Sequence, residues 1–100
     1  TRDYCLLDKF TPQCKDNEVI IINSAIFGRM KANPCISSDG PMGCFANVKG
    51  IIEGFCGGKQ FCSVDLSDRI LLATSPCRNN FNLYYKISYS CIQGEWNMII

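Results

Sequence analysis

The sequence predicts a small, mostly β domain: antiparallel strands, one short helix, and long loops stapled by disulfides. Three observations carry that reading. Eight cysteines fall within 100 residues, an even count at the density of a disulfide framework. From Leu83 to Tyr89 the side chains alternate, with Leu83, Tyr85, Ile87 and Tyr89 on one face and Tyr84, Lys86 and Ser88 on the other. Val19–Ile22 is an unbroken β-branched run, suited to a strand with a buried stretch.

Taken in order, the first strand runs from Val19 to Arg29, through Ala25 and Phe27, with Gly28 marking a bend or a close backbone approach. Asn33-Pro34 and the segment from Ser37 to Met42 read as turns, Asp39-Gly40-Pro41 being the clearest break. Phe45, Val48, Ile52 and Phe55 recur at helical spacing, so a short helix is expected over Phe45–Phe55, weakened by Gly50 and Gly54. Between Phe61 and Leu66, Cys62, Val64 and Leu66 alternate with Phe61, Ser63 and Asp65, a half-buried strand. The strand ending at Cys91 closes the domain.

Size bounds the rest. The chain fits one domain, residues 1–100, without repeats or linkers. A domain this small buries only about 60–65% of its unfolded surface, so its core is thin. Four bridges, each contributing about 2–4 kcal/mol, make such a core dependable. The net charge is +1 with both signs scattered, which gives no basic field for a nucleic acid or an acidic membrane. Apolar runs such as Val19–Ile22 are far too short to enter a bilayer as a span. The chain opens on Thr1 without a leader and is expected to be a segment excised from a larger extracellular protein.

Neither metal binding nor catalysis finds support. Structural zinc sites take cysteines two to four residues apart, often completed by histidine. Cys56 and Cys62 are spaced more widely, and histidine is absent. Oxidised cysteines without a histidine base supply no thiolate nucleophile. The carboxylates (Asp3, Asp8, Asp16, Glu18, Asp39, Glu53, Asp65, Asp68 and Glu95) form no distinguishing pattern, and solvated surface is their ordinary place. Cys56-Gly57-Gly58-Lys59-Gln60-Phe61-Cys62 is a cysteine-closed tight turn and lacks the ending of a phosphate loop. No catalytic residue, metal or cofactor is expected, and the chain reads as a non-enzymatic recognition module.

Several of these residues together resemble one family. The cysteine order, the Phe27-Gly28-Arg29 triplet, the Cys56–Cys62 turn with Gly58-Lys59, the Ser75-Pro76-Cys77 segment and the Tyr85–Cys91 strand are similar to the SUEL-type domains. These are rhamnose- or galactose-binding lectin domains, and the match runs from Cys5 to Cys91. The resemblance implies a β-sandwich-like fold with one helix. It also implies the pairs Cys5–Cys35, Cys14–Cys91, Cys44–Cys77 and Cys56–Cys62, which spacing alone leaves open.

The departures fall on the family's ligand site. Sugar-binding members carry an acid just after the first cysteine, where this chain has Leu6. The Asp before Pro-Cys is replaced by Ser75, and the Lys of the final strand by Leu83. The glycine that lets sugar approach the backbone falls in Arg78-Asn79-Asn80, with one residue extra. Phe27 keeps an aromatic ring without the tyrosine hydroxyl, and Arg29 is retained, expected as a structural residue paired with a carboxylate. Sugar recognition needs charged, partnered hydrogen bonds that leucines cannot supply. The expectation is therefore a protein-binding module from the ectodomain of a cell-surface adhesion or axon-guidance receptor, of the latrophilin or EVA-1 kind, with an extracellular protein partner. Phe81 and Tyr84 are expected to flank its apolar patch. The alternative is a secreted lectin for rhamnose, galactose or a sulfated glycan, the last through Arg29, Lys31, Lys49, Lys59, Arg78 and Lys86.

Overall fold

The computed structural model describes residues 1–36, 42–77 and 82–94. In chain order the elements are β1 (Arg2–Cys5), β2 (Lys9–Phe10), β3 (Glu18–Arg29), β4 (Cys44–Asn47), α1 (Lys49–Cys56), β5 (Val64–Asp65), α2 (Arg69–Leu72) and β6 (Tyr84–Gln93). Four strands form an antiparallel sheet in the order β1-β6-β3-β4, and β2 pairs antiparallel with β5 in a second, smaller layer. The architecture is mostly β, as the sequence predicts. Among the described residues no helix is long and apolar enough to cross a membrane.

Strand β3 is the spine, and one irregularity explains its sequence. Its pairing with β6 shifts between Ile22 and Ser24, so Asn23 is the extra residue of a bulge. The shift reverses the phase of the strand. Ile20 and Ile22 before it, and Ala25 and Phe27 after it, are therefore all buried. On β6 their partners are Cys91, Tyr89, Ile87 and Tyr85, the face expected from the alternation. Phe27 stacks on Tyr85 with ring centroids 4.2 Å apart, and the Tyr85 hydroxyl donates to the buried carbonyl of Leu66 at 2.8 Å. That bond ties the large sheet to the layer carrying β5.

Beyond its four pairs with β4, the second edge of β3 is closed without a regular strand. Val48 N–H donates to Ala25 O (2.9 Å), and Ile22 N–H donates to the Glu53 carboxylate (2.9 Å). The Cys56–Cys62 turn supplies the rest: Ile20 N–H donates to Lys59 O, and Gly58 N–H donates to Ile20 O. Gly58 sits at φ 78°, which glycine alone adopts without strain. A helix and a disulfide-closed turn thus cover an edge that would otherwise invite another chain.

The structure corrects two element boundaries and adds β1, β2, β4 and α2 to the elements the sequence predicts. Phe45 belongs to β4 and is exposed, so the expected helix over Phe45–Phe55 begins only at Lys49. The edge of β3 captures residues 44–47 before the helix can start, and Asn47 Oδ1 then accepts from Lys49 N–H. The Phe61–Leu66 alternation has the stated burial, but only Val64–Asp65 pair as strand, because β2 offers just two residues. A second helix, α2, follows Asp68, whose side chain accepts from Ile70 N–H at 2.8 Å. The expected turn over Ser37–Met42 lies, except for Met42, outside the described residues.

All eight cysteines are oxidised, as Cys5–Cys35, Cys14–Cys91, Cys44–Cys77 and Cys56–Cys62. The first and third cross-links hold one end of the sheet. The second and fourth hold the other.

Candidate functional site

Register fixes where the end of β1, the start of β6, the end of β3 and the start of β4 meet. Cys5 lies opposite Tyr84, Tyr84 opposite Gly28, and Arg29 opposite Cys44. Leu6 continues from β1, Leu83 precedes β6, and Ser75-Pro76-Cys77 is pinned to the start of β4 by the Cys44–Cys77 bridge. One end of the sheet therefore collects Leu6, Phe27, Arg29, Ser75 and Leu83. Asn79, Asn80, Arg78 and Phe81 lie outside the described residues.

Their environment is apolar and closed. Leu83 is 7% exposed and part of the core, while Leu6 is half-buried against that core. Phe27 is fully buried beneath Tyr85. Arg29 follows Phe27 on the inward face and is 1% exposed; its Nη1 donates to the carbonyl of Asn82 at 2.6 Å. That partner is a main-chain carbonyl just before Leu83, so the guanidinium braces the start of β6. Ser75 alone of the five is exposed.

Tyr84 departs from expectation, since it is not a surface aromatic. It is 1% exposed on the outer face, covered by the chain after β3, and its hydroxyl accepts from Lys31 N–H at 3.1 Å. That chain is held down by Asn33 Nδ2 donating to Asp3 (2.9 Å) and by the Cys5–Cys35 bridge. Nearby at this end, Leu7 is 87% exposed, Phe45 57% and Met42 37%. Among the described residues the proposed cations do not converge. Arg29 is buried, Lys86 pairs with Asp3 at 3.8 Å, and Lys59 sits by Ile20 while Lys31 follows Arg29. Nine residues of strand place those last two about 30 Å apart.

The residues from 12 to 91 match the family described as the D-galactoside/L-rhamnose binding SUEL lectin domain. The chain belongs to the SUEL lectin family. It is also similar to a D-galactoside-specific lectin of Heliocidaris crassispina, 28% identical over 95 residues that cover 87% of this chain and 85% of that protein. Within the SUEL lectin frame, two motif glycines now have physical reasons. Gly58 supplies a positive φ, and Gly28 allows β4 to approach. A Cβ on Gly28 would collide with the carbonyl oxygen of Cys44 and stand 2.6 Å from Cα of Phe45.

A different concavity, about 440 Å³ in volume, opens at the other end of β1. Its walls include Arg2, Tyr4, Asp8, Lys9, Thr11 and Tyr89. Phe10 is fully buried between the two tyrosines, edge-on to Tyr4 (5.3 Å, 84°) and to Tyr89 (5.7 Å, 80°). The Arg2 guanidinium lies 5.2 Å from the Tyr4 ring centroid. Burial raises the Tyr4 hydroxyl pKa above its usual value, Arg2 opposing the shift and Tyr89 adding to it. Sequence reasoning missed this grouping because its members come from β1, β2, the chain after β2, and β6. Only the period-two placement of Arg2 with Tyr4, and of Ile87 with Tyr89, hinted at a shared face.

Proposed function

We propose that this SUEL lectin domain is an extracellular protein-recognition module, part of the ectodomain of a cell-surface adhesion or axon-guidance receptor, in which the family's monosaccharide position has been absorbed into the core. The observation that carries the reading is the fate of Leu83 and Phe27. Where a sugar would need an ammonium and a phenol, both side chains are buried and apolar. Arg29 offers no replacement, since it is buried and braces the Asn82 carbonyl. Leu7, Phe45 and Met42 expose apolar surface around the same end, the composition that protein interface cores favour. Four disulfides support an oxidising, extracellular setting. The domain binds and does no chemistry.

Titration of the domain with L-rhamnose and D-galactose, followed by amide chemical shifts, tests the proposal. Shifts at Leu6, Asn82 and Leu83 with a dissociation constant tighter than about 1 mM would overturn it. A second reading has one observation behind it: the similar sea-urchin protein is named as D-galactoside-specific. On that reading the domain is a secreted lectin with altered contacts, and the same titration returns saturable binding.

A further inference from the structure

The cleft between β1, β2 and β6 gathers charged and aromatic side chains apart from Leu6, Ser75 and Leu83. Its floor is rigid, because the fully buried Phe10 is wedged edge-on against both Tyr4 and Tyr89. Side chains of Arg2 and Tyr4, and of Ile87 and Tyr89, share the inward face of the large sheet, whereas Asp3 and Lys86 pair with each other on the opposite face. Lys9 and Thr11 enter from the β2 side. Asp8 is the cleft's carboxylate, and one of its oxygens already accepts from Cys5 N–H at 2.8 Å. Asp65 lies across from Lys9 in the β2–β5 pair and draws on its charge without lining the cleft. Arg2 and Lys9 are the cleft's cations and Asp8 its carboxylate, with Asp65 also acting on Lys9 from outside, beside half-buried aromatic rings and hydroxyls.

We propose that this cleft binds a pyranose bearing a carboxylate or a sulfate, at a site separate from the family's sugar position. The volume, about 440 Å³, lies within the usual range for small-ligand pockets. Tyrosine faces suit the C–H side of a sugar ring, and Arg2 with Lys9 suits its anionic substituent. The Asp8 oxygen not bound to Cys5, with Thr11, is available to ring hydroxyls. The four disulfides point to an oxidising compartment, which favours a carboxylated or sulfated sugar over a phosphorylated intracellular group. Tyr4 lies two positions from Leu6, about 7 Å along the chain, so the cleft adjoins the family position without sharing Leu6, Phe27, Ser75 or Leu83.

Methyl β-D-glucuronide and D-galactose 6-sulfate are the probes, with neutral methyl galactoside as comparison, each titrated against the folded domain while amide shifts are recorded. Both acidic sugars should perturb Arg2, Tyr4, Lys9, Thr11 and Tyr89, with dissociation constants of about 1 mM. The exposed pair Arg2→Gln/Lys9→Gln should weaken both about tenfold or more, while Lys59→Gln should leave them unchanged. Binding of only one acidic sugar at these amides identifies which anion the cleft takes and supports the proposal. Absence of binding by both, binding indifferent to the double substitution, or equal binding of the neutral glycoside in the cleft would each overturn it. Neutral sugar perturbing Leu83 instead would count against the protein-recognition reading alone.

Discussion

Replacing Gly28 with alanine should be among the most damaging single-methyl changes in this domain. The magnitude follows from backbone geometry. A Cβ at this position would collide with Cys44 O, stand 2.6 Å from Phe45 Cα and 3.0 Å from Cys44 C. All three are main-chain atoms, so no rotamer change relieves the overlap. Strand β4 would have to retreat by about an ångström to reach ordinary contact, which lengthens a hydrogen bond of about 2.9 Å beyond its useful range. It cannot retreat freely, because Cys44 is bridged to Cys77 and Gly43 N–H donates to Arg29 O at 2.6 Å. Losing two ladder bonds at about 1 kcal/mol each, with about 1–3 kcal/mol of overpacking strain, gives about 4 kcal/mol. Alanine's smaller unfolded-state entropy returns about 0.5–1 kcal/mol, leaving about 3 kcal/mol net. Urea unfolding of the oxidised domain measures this directly, and with a slope of about 1.5 kcal/mol/M the midpoint should fall by about 2 M. A midpoint within about 0.5 M of the parent would show that β3 and β4 do not approach this closely, and would remove the reason given for glycine in the Phe27-Gly28-Arg29 triplet.

Two further substitutions probe the polar groups that lock the layers together. Tyr85→Phe leaves the buried Leu66 carbonyl without its donor and should lower stability by about 1–2 kcal/mol in the same urea experiment. The Tyr85 hydroxyl pKa is raised well above its usual value, chiefly by burial, with Asp68 and Asp65 adding. The unfolded chain therefore ionises this group first. Stability should be intact below about pH 10 and fall as pH rises further, with a shallower alkaline loss in Tyr85→Phe. Glu53→Ala should cost about 1–3 kcal/mol by orphaning Ile22 N–H at the bulge, whereas Glu53→Gln, which still presents a carbonyl oxygen, should recover most of it. Equal losses in the two Glu53 variants would mean that the carboxylate's charge, rather than its acceptor, matters.

What the sequence made legible was what periodicity can express. The alternation of Leu83, Tyr85, Ile87 and Tyr89 is visible because β6 is regular over that stretch, and its core face is the one expected. Strand β3 was placed closely, but its bulge was not, since Asn23 looks like any polar residue until pairing shows the phase reversal. Phe45 was assigned to a helix because its spacing to Val48 and Ile52 is helical. Spacing along the chain could not show that the open edge of β3 would claim it. Glu53 illustrates the same limit: it was counted with the solvated carboxylates, while its partner is an amide 31 residues away. Leu6 and Leu83 were expected as departures from a polar site. Whether they would line a surface or complete the core depended on which way the sheet end faced.

The burial of those positions bears on how one fold can change its ligands. The cross-links Cys5–Cys35 and Cys44–Cys77 hold the sheet end where Leu6, Ser75 and Leu83 meet, and they hold it through backbone and sulfur alone. Arg29 adds a brace to the Asn82 carbonyl, again to the main chain. None of these restraints depends on whether Leu6, Ser75 or Leu83 is polar. Side chains there can differ in polarity while the strands stay in register. The cleft at Arg2, Tyr4 and Tyr89 is different in kind, because its floor is Phe10, a core residue. Its tyrosines are placed by the same packing that makes the domain fold. On the proposed reading, a cleft floored by a core residue is held by the same packing as the fold and does not depend on the side chains at Leu6, Ser75 or Leu83.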